Sequence, residues 1–326
     1  MRVLLTGGAG FIGHHIVQHL LATTDWTLTI LDRLDCSGNL NRLAEIGAAK
    51  NPRVRFVYHD LRGAMNEHVM KQVGAHDYIL HLAASTHVDR SLTDPMGFVY
   101  DNVVATGHLL EFARVMGCQR FINFSTDEVF GPAPVGHAHH ELERFAPSNP
   151  YSGSKAGAVA LGYAWWVSFG VPVITTYTMN NFGERQHPEK LIPRTVKSIR
   201  DGTPMPIFAT RDGDKLVPVG SRYWLHAGNT ASAVSFLLEH GVPGEGYNII
   251  GFDEWQNWDL VHRIADILGK PLNAELVDFY GIRPGHDPRY ALDGSKLKAM
   301  GWEPPQSFDA ALEQTVRFTL EHPEWA

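Results

Sequence analysis

The stretch RVLLTGGAGFIGHHI, residues 2–16, decides the fold of this chain. It begins as a short apolar strand and ends as the start of an amphipathic helix, with glycines at GxxGxxG spacing between the two. Glycines there permit a tight turn, let backbone amides approach a pyrophosphate, and let the helix pack closely on the strand. The stretch therefore predicts a dinucleotide-binding turn. Its candidate cofactor-binding residues are Gly7, Gly10, Phe11, Ile12 and Gly13.

An acidic residue at the end of the second predicted strand indicates which dinucleotide is bound. Asp32 stands nineteen positions after Gly13. A carboxylate there can accept hydrogen bonds from both ribose hydroxyls, and it repels a 2′-phosphate. Arg33 acts in the opposite sense, but the pattern favours NAD over NADP. Asp60 and Leu61 are candidates for contact with the adenine, with a simple strand-end turn as an equal alternative.

Short apolar strands alternate with helical segments through the first half of the chain. The predicted strands are residues 2–5, 27–31, 55–58, 78–82, 120–124 and 173–177, and the predicted helices are residues 13–22, 39–44, 65–73, 95–116 and 150–169. Apolar strands separated by helices are typical of a parallel sheet that is covered on both faces. The expected fold class is α/β, a Rossmann-type doubly wound parallel sheet with a smaller C-terminal α/β substrate lobe.

The pattern loosens after about residue 180, where Pro and Gly become frequent. We expect an NAD-binding Rossmann domain over residues 1–180, with segments near 223–252 returning to it as a helix and a strand. Residues 181–222 and 253–326 are expected to form the second lobe, with the ligand bound in the cleft between the lobes.

The composition is that of an ordinary soluble protein. The chain has 326 residues, of which 44% are hydrophobic and 19% charged, with a formal net charge of −7. Without a long run of Lys or Arg, nucleic-acid binding is not expected as its main task. No apolar stretch is long enough to predict a membrane span. Two cysteines, Cys36 and Cys118, fit a reducing compartment, so we expect a cytoplasmic protein.

Two further segments carry side chains suited to acid–base chemistry. In STDEVFG, Thr126, Asp127 and Glu128 follow an apolar run. Adjacent carboxyls can serve as a proton donor and a proton acceptor if their environments separate their pKa values. In PYSGSK, Tyr151 and Lys155 lie one helical turn apart on one face. A lysine ammonium favours the phenolate, which can take a proton from a hydroxyl while hydride leaves the same carbon.

These motifs resemble those of the extended short-chain dehydrogenase/reductase family, and within it the sugar-nucleotide 4,6-dehydratases. The matching blocks are TGGAGFIG (6–13), GNLNRL (38–43), HLAASTHVDRS (81–91), STDEVFG (125–131), PYSGSKA (150–156), NNFGERQHPEKLIP (180–193) and RPGHDPRYALDGSKLKAMGW (283–302). The resemblance runs almost from end to end. It implies an NAD-dependent lyase that converts a nucleotide-activated hexose, dTDP-glucose or UDP-glucose, to the 4-keto-6-deoxy sugar. It also implies a homodimer formed through a four-helix bundle.

The resemblance implies roles for individual residues as well. Tyr151 and Lys155 would oxidise C4, with Thr126 holding the sugar hydroxyl. Asp127 would protonate the departing C6 hydroxyl, and Glu128 would remove the C5 proton. Further residues implied at the cofactor are Leu82, Ala83, Ala84, Thr86 and Asn181. Residues implied at the substrate are Thr86, Thr126, Asn180, Lys190, Leu191, Phe208, Arg222, Asn257, Arg283 and His286.

Two blocks depart from the sugar-nucleotide 4,6-dehydratases. Ser85-Thr86 stands where that family has Glu-Ser, and two carboxylates that follow the family's arginine are missing after Arg222. The second block and the stretch 208–221 shape the nucleotide pocket. The sequence therefore does not determine whether the nucleotide carries thymine or uracil. A UDP-sugar 4-epimerase or a UDP-glucuronate decarboxylase is an alternative that has no need of adjacent Asp127 and Glu128. A non-catalytic NAD-binding scaffold is an alternative from a different class.

A histidine-rich segment, HAHHELE at 137–143, raises the question of a metal site. No cysteine and no array of carboxylates completes a ligand set in the sequence around it, and Pro and Gly flank it. We therefore expect a solvated loop there and no metal.

Overall fold

The computed structural model describes residues 1–278 and 289–325. Its strands are β1 (Arg2–Thr6), β2 (Thr27–Asp32), β3 (Val54–Tyr58), β4 (Tyr78–His81), β5 (Arg120–Thr126), β6 (Val173–Thr178), β7 (Asn181–Phe182), β8 (Met205–Asp212), β9 (Lys215–Pro218), β10 (Ser221–Tyr223), β11 (Leu225–His226), β12 (Gly246–Ile249), β13 (Glu254–Gln256) and β14 (Ala274–Asp278). Its α-helices are α1 (Phe11–Thr23), α2 (Leu40–Glu45), α3 (Glu67–Val73), α4 (Val88–Thr93), α5 (Pro95–Phe98), α6 (Ala105–Met116), α7 (Pro150–Phe169), α8 (Leu191–Asp201), α9 (Ala227–His240), α10 (Asn257–Leu268), α11 (Ser295–Ala299) and α12 (Phe308–Glu321).

Within these described ranges, seven strands form one parallel sheet in the order β12-β6-β5-β4-β1-β2-β3. Side chains of β1 alternate between its two faces. Val3 and Leu5 join a core with Ile16 of α1, whereas Leu4 joins a second core with Leu109 of α6. Helices therefore cover both faces, and the apolar strands follow from that burial. The predicted α/β class and doubly wound sheet are confirmed.

The chain returns to this sheet after a long excursion. Strand β12 pairs in parallel with β6, with Gly246 opposite Thr175. Helix α9 contributes Val234 and Leu237 to the core that contains α1. The segment near 223–252 thus contributes a helix and a strand to the main α/β unit. The division of the remaining chain into a separate lobe stays a prediction.

The stretch 208–221, which shapes the predicted nucleotide pocket, folds largely as a hairpin. Strands β8 and β9 pair antiparallel, and Gly213 in the turn has a φ of 59°. Strand β14 pairs in parallel with β8 on its other side. Helices α8, α10 and α12 of the same part of the chain pack together around Val196, Ile264 and Leu312.

In the part of the chain that the structure describes, no helix has the length and apolar character needed to cross a bilayer.

Candidate active site

A cavity of about 420 Å³ lies at the carboxyl ends of the central strands. Ligands of open α/β sheets bind at this edge, where the strand order reverses. Predicted residues that line the cavity are Gly7, Gly10, Phe11, Ile12, Gly13, Asp32, Asp60, Leu61, Leu82, Ala83, Ala84, Thr86, Thr126, Asp127, Glu128, Tyr151, Lys155, Asn180, Asn181, Lys190 and Leu191. The structure therefore brings the glycine turn, the carboxyl pair and the Tyr-Lys pair to one site.

The glycine turn packs against the end of β4 too closely for larger residues. Gly7 has a φ of 72°, and a Cβ there would lie 2.8 Å from the backbone nitrogen of Ala83. The Asp32 carboxylate accepts hydrogen bonds from the amide of Ala9, at 3.1 Å, and from the amide of Leu34, at 2.9 Å. Asp32 is thereby held at the wall of the cavity, as a ribose-binding carboxylate must be.

Arg33, next to Asp32, is surrounded by carboxylates. Its guanidinium lies 2.6 Å from Asp101, 2.8 Å from Asp35 and 3.5 Å from Asp60. Hydrogen bonds to Asp101 hold the pKa of Arg33 above its ordinary value. These pairs compensate the charge that a 2′-phosphate would require. Arg33 is therefore not available to bind the 2′-phosphate of NADP, and the cavity fits NAD.

The carboxyl pair occupies the junction between β5 and a following 3-10 turn, Asp127–Phe130. Thr126 ends the strand, and its hydroxyl donates a hydrogen bond of 2.8 Å to Oδ1 of Asp127. Thr126 is 7% exposed and Asp127 4%. Because the chain turns immediately after the strand, consecutive side chains are placed in different surroundings.

Asp127 and Glu128 differ in their environments. Burial, reinforced by the neighbouring charge of Glu128, raises the pKa of Asp127 to about 7. Glu128 instead receives hydrogen bonds at Oε2 from the side-chain amide of Asn149, at 3.2 Å, and from the hydroxyl of Tyr290, at 3.4 Å. Donors of this kind favour the ionised carboxylate. The pair is therefore arranged as a protonated acid beside a carboxylate base.

The Tyr-Lys pair lies in the first turns of α7, and a capping box fixes where this helix begins. Asn149 and Ser152 exchange side-chain and backbone hydrogen bonds at its N-terminus, and Pro150 occupies the first turn. Tyr151 and Lys155 are 7% and 6% exposed. The Lys155 ammonium donates a 2.5 Å hydrogen bond to the carbonyl oxygen of Phe124. The helix and β5 are thus joined directly beneath the cavity.

The two side chains of this pair have shifted pKa values. Burial lowers the pKa of Lys155 to about 8. Burial, followed by the charge of Glu128, raises the pKa of Tyr151 above its ordinary value, and Thr126 opposes that rise. In the chain alone the phenol is therefore neutral, and Tyr151 needs a further positive charge before it can act as a base.

A family model described as GDP-mannose 4,6 dehydratase matches residues 4–315. The chain belongs to this family. It is 36% identical to a dTDP-glucose 4,6-dehydratase of Salmonella typhimurium, over 100% of this chain and 94% of that protein. The solved structure of a Streptomyces venezuelae dTDP-glucose 4,6-dehydratase with NAD bound superimposes with a TM-score of 0.90 at 37% identity, covering 100% of this chain and 98% of the other. A Thermus thermophilus UDP-glucose 4-epimerase with NAD superimposes with a TM-score of 0.87 at 27% identity, covering 98% and 99%.

Not every residue predicted at the substrate lines the cavity in this member of the GDP-mannose 4,6-dehydratase family. Phe208 lies on β8, opposite Val277 of β14. Arg222 lies on β10 with its guanidinium 4.5 Å from the ring centroid of Tyr290. Asn257 begins α10, and its amide bonds to the carbonyl of Gly220. Two further predicted residues, Arg283 and His286, lie outside the described residues.

The structure adds site residues that sequence reasoning did not select. Asn102 lies in a π-helical turn, Val99–Val104, which interrupts the single helix predicted over 95–116. Its side chain bonds to both backbone groups of Ser85 and to the hydroxyl of Ser154. The wider turn thus fastens the loop before Thr86 to α7. Such turns recur at functional sites, but the sequence carries no signal for this one.

Of the two residues that donate hydrogen bonds to Glu128, only Asn149 could be predicted from the sequence. Asn149 precedes Pro150, a pair typical of a helix N-cap, so its position at the start of α7 could be predicted from the sequence. Tyr290 lies in a matching block of the sequence, but its contact with Glu128 spans 162 positions. Only the folded chain of this family member shows that contact.

Proposed function

We propose that this protein is an NAD-dependent sugar-nucleotide 4,6-dehydratase acting on dTDP-glucose or UDP-glucose. The observation that carries the proposal is the unequal pair Asp127 and Glu128, which lines the same cavity as Tyr151 and Lys155. One carboxyl has a raised pKa, and the other is held by two hydrogen-bond donors. Oxidation alone requires no such pair, whereas elimination of water requires an acid and a base together.

The first step is oxidation at C4 of the sugar. Tyr151 accepts the proton of the C4 hydroxyl, and the Thr126 hydroxyl holds the same oxygen. NAD, held by the glycine turn and Asp32, would supply the acceptor for the hydride from C4 and its donor to C6. Because the pKa of Lys155 is about 8, its ammonium form predominates at neutral pH, one helical turn after Tyr151 on α7.

The second step is loss of water across C5 and C6. A ketone at C4 acidifies the hydrogen on C5, which Glu128 removes. Asp127 donates its proton to the C6 oxygen, and water departs. With a pKa of about 7, Asp127 is about half protonated at pH 7, so a proton donor is present under ordinary conditions. Return of the hydride to C6 and of the proton from Glu128 to C5 then gives a 4-keto-6-deoxy sugar nucleotide.

The alternatives are less well supported by the site. The fold itself does not discriminate, because the Thermus thermophilus epimerase has a similar one. A 4-epimerase or a decarboxylase makes no use of an acid at C6, whereas Asp127, whose pKa is raised to about 7, lines the cavity. A non-catalytic scaffold has no reason to bury both Tyr151 and Lys155.

We also propose that residues 181–222 and 253–326 act as the sugar-nucleotide-binding lobe. Arg222 supports this, because its positive charge lowers the pKa of Asp127 and so lies within electrostatic reach of the catalytic turn. A cation at this place suits the diphosphate of the substrate. The hairpin of β8 and β9 would then lie near the base, and we leave thymine and uracil as equal candidates.

A homodimer is a further part of the proposal. Helix α7 leaves Tyr163 and Val167 60% and 64% exposed, and the neighbouring segment leaves Met96 and Tyr100 55% and 50% exposed. Apolar side chains exposed together on adjacent helices are typical of a surface that a second copy covers. Two such helix pairs would form a four-helix bundle. The free thiols of Cys36 and Cys118 are compatible with the proposed cytoplasmic location.

The proposed function is tested by incubating the protein with dTDP-glucose and with UDP-glucose. A 4-keto-6-deoxy product develops a characteristic absorbance in alkali, and we expect it from at least one of the two. If neither yields this product and a 4-epimer or a pentose forms from another UDP-sugar, the dehydratase proposal is wrong. The ratio of the two rates measures the preference for the base.

A further inference from the structure

Three histidines and one carboxylate converge in the loop between the catalytic turn and α7. His137 Nε2 lies 3.1 Å from Oε2 of Glu143, and His139 Nδ1 lies 2.6 Å from the same oxygen. His140 Nε2 lies 3.7 Å from the other oxygen, Oε1. One carboxylate, Glu143, is shared by these histidines, whereas the sequence analysis looked for an array of carboxylates and expected no metal.

The spacing of these atoms suits a small divalent cation. The ligand atoms of His137, His139 and Glu143 all lie within 4.8 Å of one another. Zinc binds nitrogen and oxygen ligands at about 2.0–2.2 Å in a tetrahedral arrangement, which separates neighbouring ligand atoms by roughly 3.3 Å. Relative to Oε2 of Glu143, the His137 nitrogen would move outward by about 0.2 Å and the His139 nitrogen by about 0.7 Å to reach that separation. His140 stands outside this group, with Nε2 3.7 Å from Oε1 of Glu143, and its exposed ring has to turn towards the ion to supply a fourth ligand.

The backbone of this loop is held in place, which a preformed site requires. His139 donates its amide to the carbonyl of Ala291, and its own carbonyl accepts from Asp293 and Asn248. The guanidinium of Arg289 bonds to the carbonyl of His137 at 2.6 Å. The backbone at His137 and His139 is therefore fixed by bonds to distant parts of the chain.

A second histidine-carboxylate cluster is less suited to a cation. His87 and His187 each lie 3.8 Å from Oε2 of Glu189, farther than the corresponding pairs at Glu143. Arg90 lies 3.8 Å from the other oxygen of Glu189 and already places a positive charge there. Both histidines also line the substrate cavity. The observations therefore favour the loop around Glu143.

We propose that His137, His139, His140 and Glu143 form a zinc site outside the catalytic centre. The ion is bound by three imidazoles and one carboxylate, all from the short segment 137–143. The ring of His139 stacks on Phe130 of the catalytic 3-10 turn, with centroids 5.6 Å apart and planes 17° apart. The site therefore stiffens the segment that joins the catalytic turn to α7. Its role is structural, and it takes no part in the reaction.

The test is a zinc titration of the full-length, metal-free protein in competition with a chromophoric chelator. We expect one zinc ion per chain, and at least about 100-fold weaker binding in Glu143→Gln and His137→Ala, since a lost ligand costs more than a lost supporting group. His322→Ala is the matched control, because His322 pairs with Glu324 at 2.9 Å elsewhere on the surface. Its affinity for zinc should be unchanged. Circular dichroism establishes that each variant is folded.

Cobalt(II) provides a second readout that does not depend on affinity. Replacement of zinc should give the intense visible absorption of a four-coordinate ion, and Glu143→Gln should abolish it. Equal zinc binding by the wild-type protein and Glu143→Gln would overturn the proposal. So would binding that disappears in His187→Ala but persists in His137→Ala, because the ion would then occupy the other cluster.

Discussion

Replacing Asp127 by asparagine should stabilise the protein in a pH-dependent manner while it abolishes most of the activity. Burial raises the pKa of Asp127 from its ordinary value of 3.8 to about 7. In the unfolded chain this carboxyl ionises near pH 4, whereas in the folded chain it stays protonated until about pH 7. The folded state thus binds the proton more tightly, and stability is lost as the pH rises through this window.

The magnitude follows from the size of the shift. A difference of roughly 3 pKa units corresponds to about 4 kcal/mol of unfolding free energy at pH 8, and to almost nothing at pH 4. The amide that replaces the carboxyl is uncharged throughout, so the Asp127→Asn variant avoids this loss. The hydrogen bond from Thr126 is retained, because the amide oxygen can replace Oδ1 as the acceptor. The variant should therefore match the wild-type protein at pH 4 and exceed its stability at pH 8.

The assay is urea unfolding of both proteins at pH 4, 6 and 8, at one fixed protein concentration because association in the proposed dimer would contribute to stability. Alongside it, product formation should fall by about 10²–10⁴-fold in the variant, as expected when a general acid is removed. The wild-type kcat/KM should decline above pH 7, and the variant should lack that decline. A stability difference that is the same at all three pH values would refute the reasoning, because it would show that Asp127 does not titrate with a raised pKa.

Three further predictions concern the base, the cofactor and the dimer. Glu128→Gln should form product at least about 100-fold more slowly, while reduced cofactor accumulates in stopped-flow absorbance, because oxidation at C4 proceeds without a base for C5; unaltered product formation would remove Glu128 from this role. Asp101→Asn should free Arg33 from one of its partners and tighten NADP binding relative to NAD by about tenfold, or about 1.4 kcal/mol, in calorimetric titrations; an unchanged ratio of NADP to NAD affinity would show that the bond between Asp101 and Arg33 does not control the choice of cofactor. Val167→Asp should place a charge in the proposed helix bundle and yield monomers by light scattering at micromolar concentration, whereas a wild-type protein that is already monomeric would contradict the dimer.

Several features of the site could be predicted because they depend on short-range geometry. A strand, three spaced glycines and a helix must fold as a tight turn, and the carboxylate of Asp32 then follows at the end of the next strand. Likewise, a spacing of four residues places Tyr151 and Lys155 on one face of any helix. Apolar runs separated by amphipathic segments were enough for the parallel sheet, since both of its faces must be buried.

The remaining features depend on contacts between distant parts of the chain. Asp127 and Glu128 are neighbours of similar chemistry, and nothing local assigns one as acid and the other as base. That difference arises because Asp127 is buried while Asn149 and Tyr290, 21 and 162 positions away from Glu128, donate to its carboxylate. In the same way, the sequence shows Arg33 as a possible ligand for the 2′-phosphate of NADP. Only the folded chain shows that Asp101, 68 positions later, already pairs with it.

The sequence by itself thus determined the sheet, the cofactor turn and the candidate reactive side chains. The tertiary structure decided the surroundings of those side chains, and with them their pKa values. The physical reason is that backbone turns and side-chain faces are set by neighbours within a few residues, whereas a pKa depends on every charge and every desolvating group around the atom that titrates.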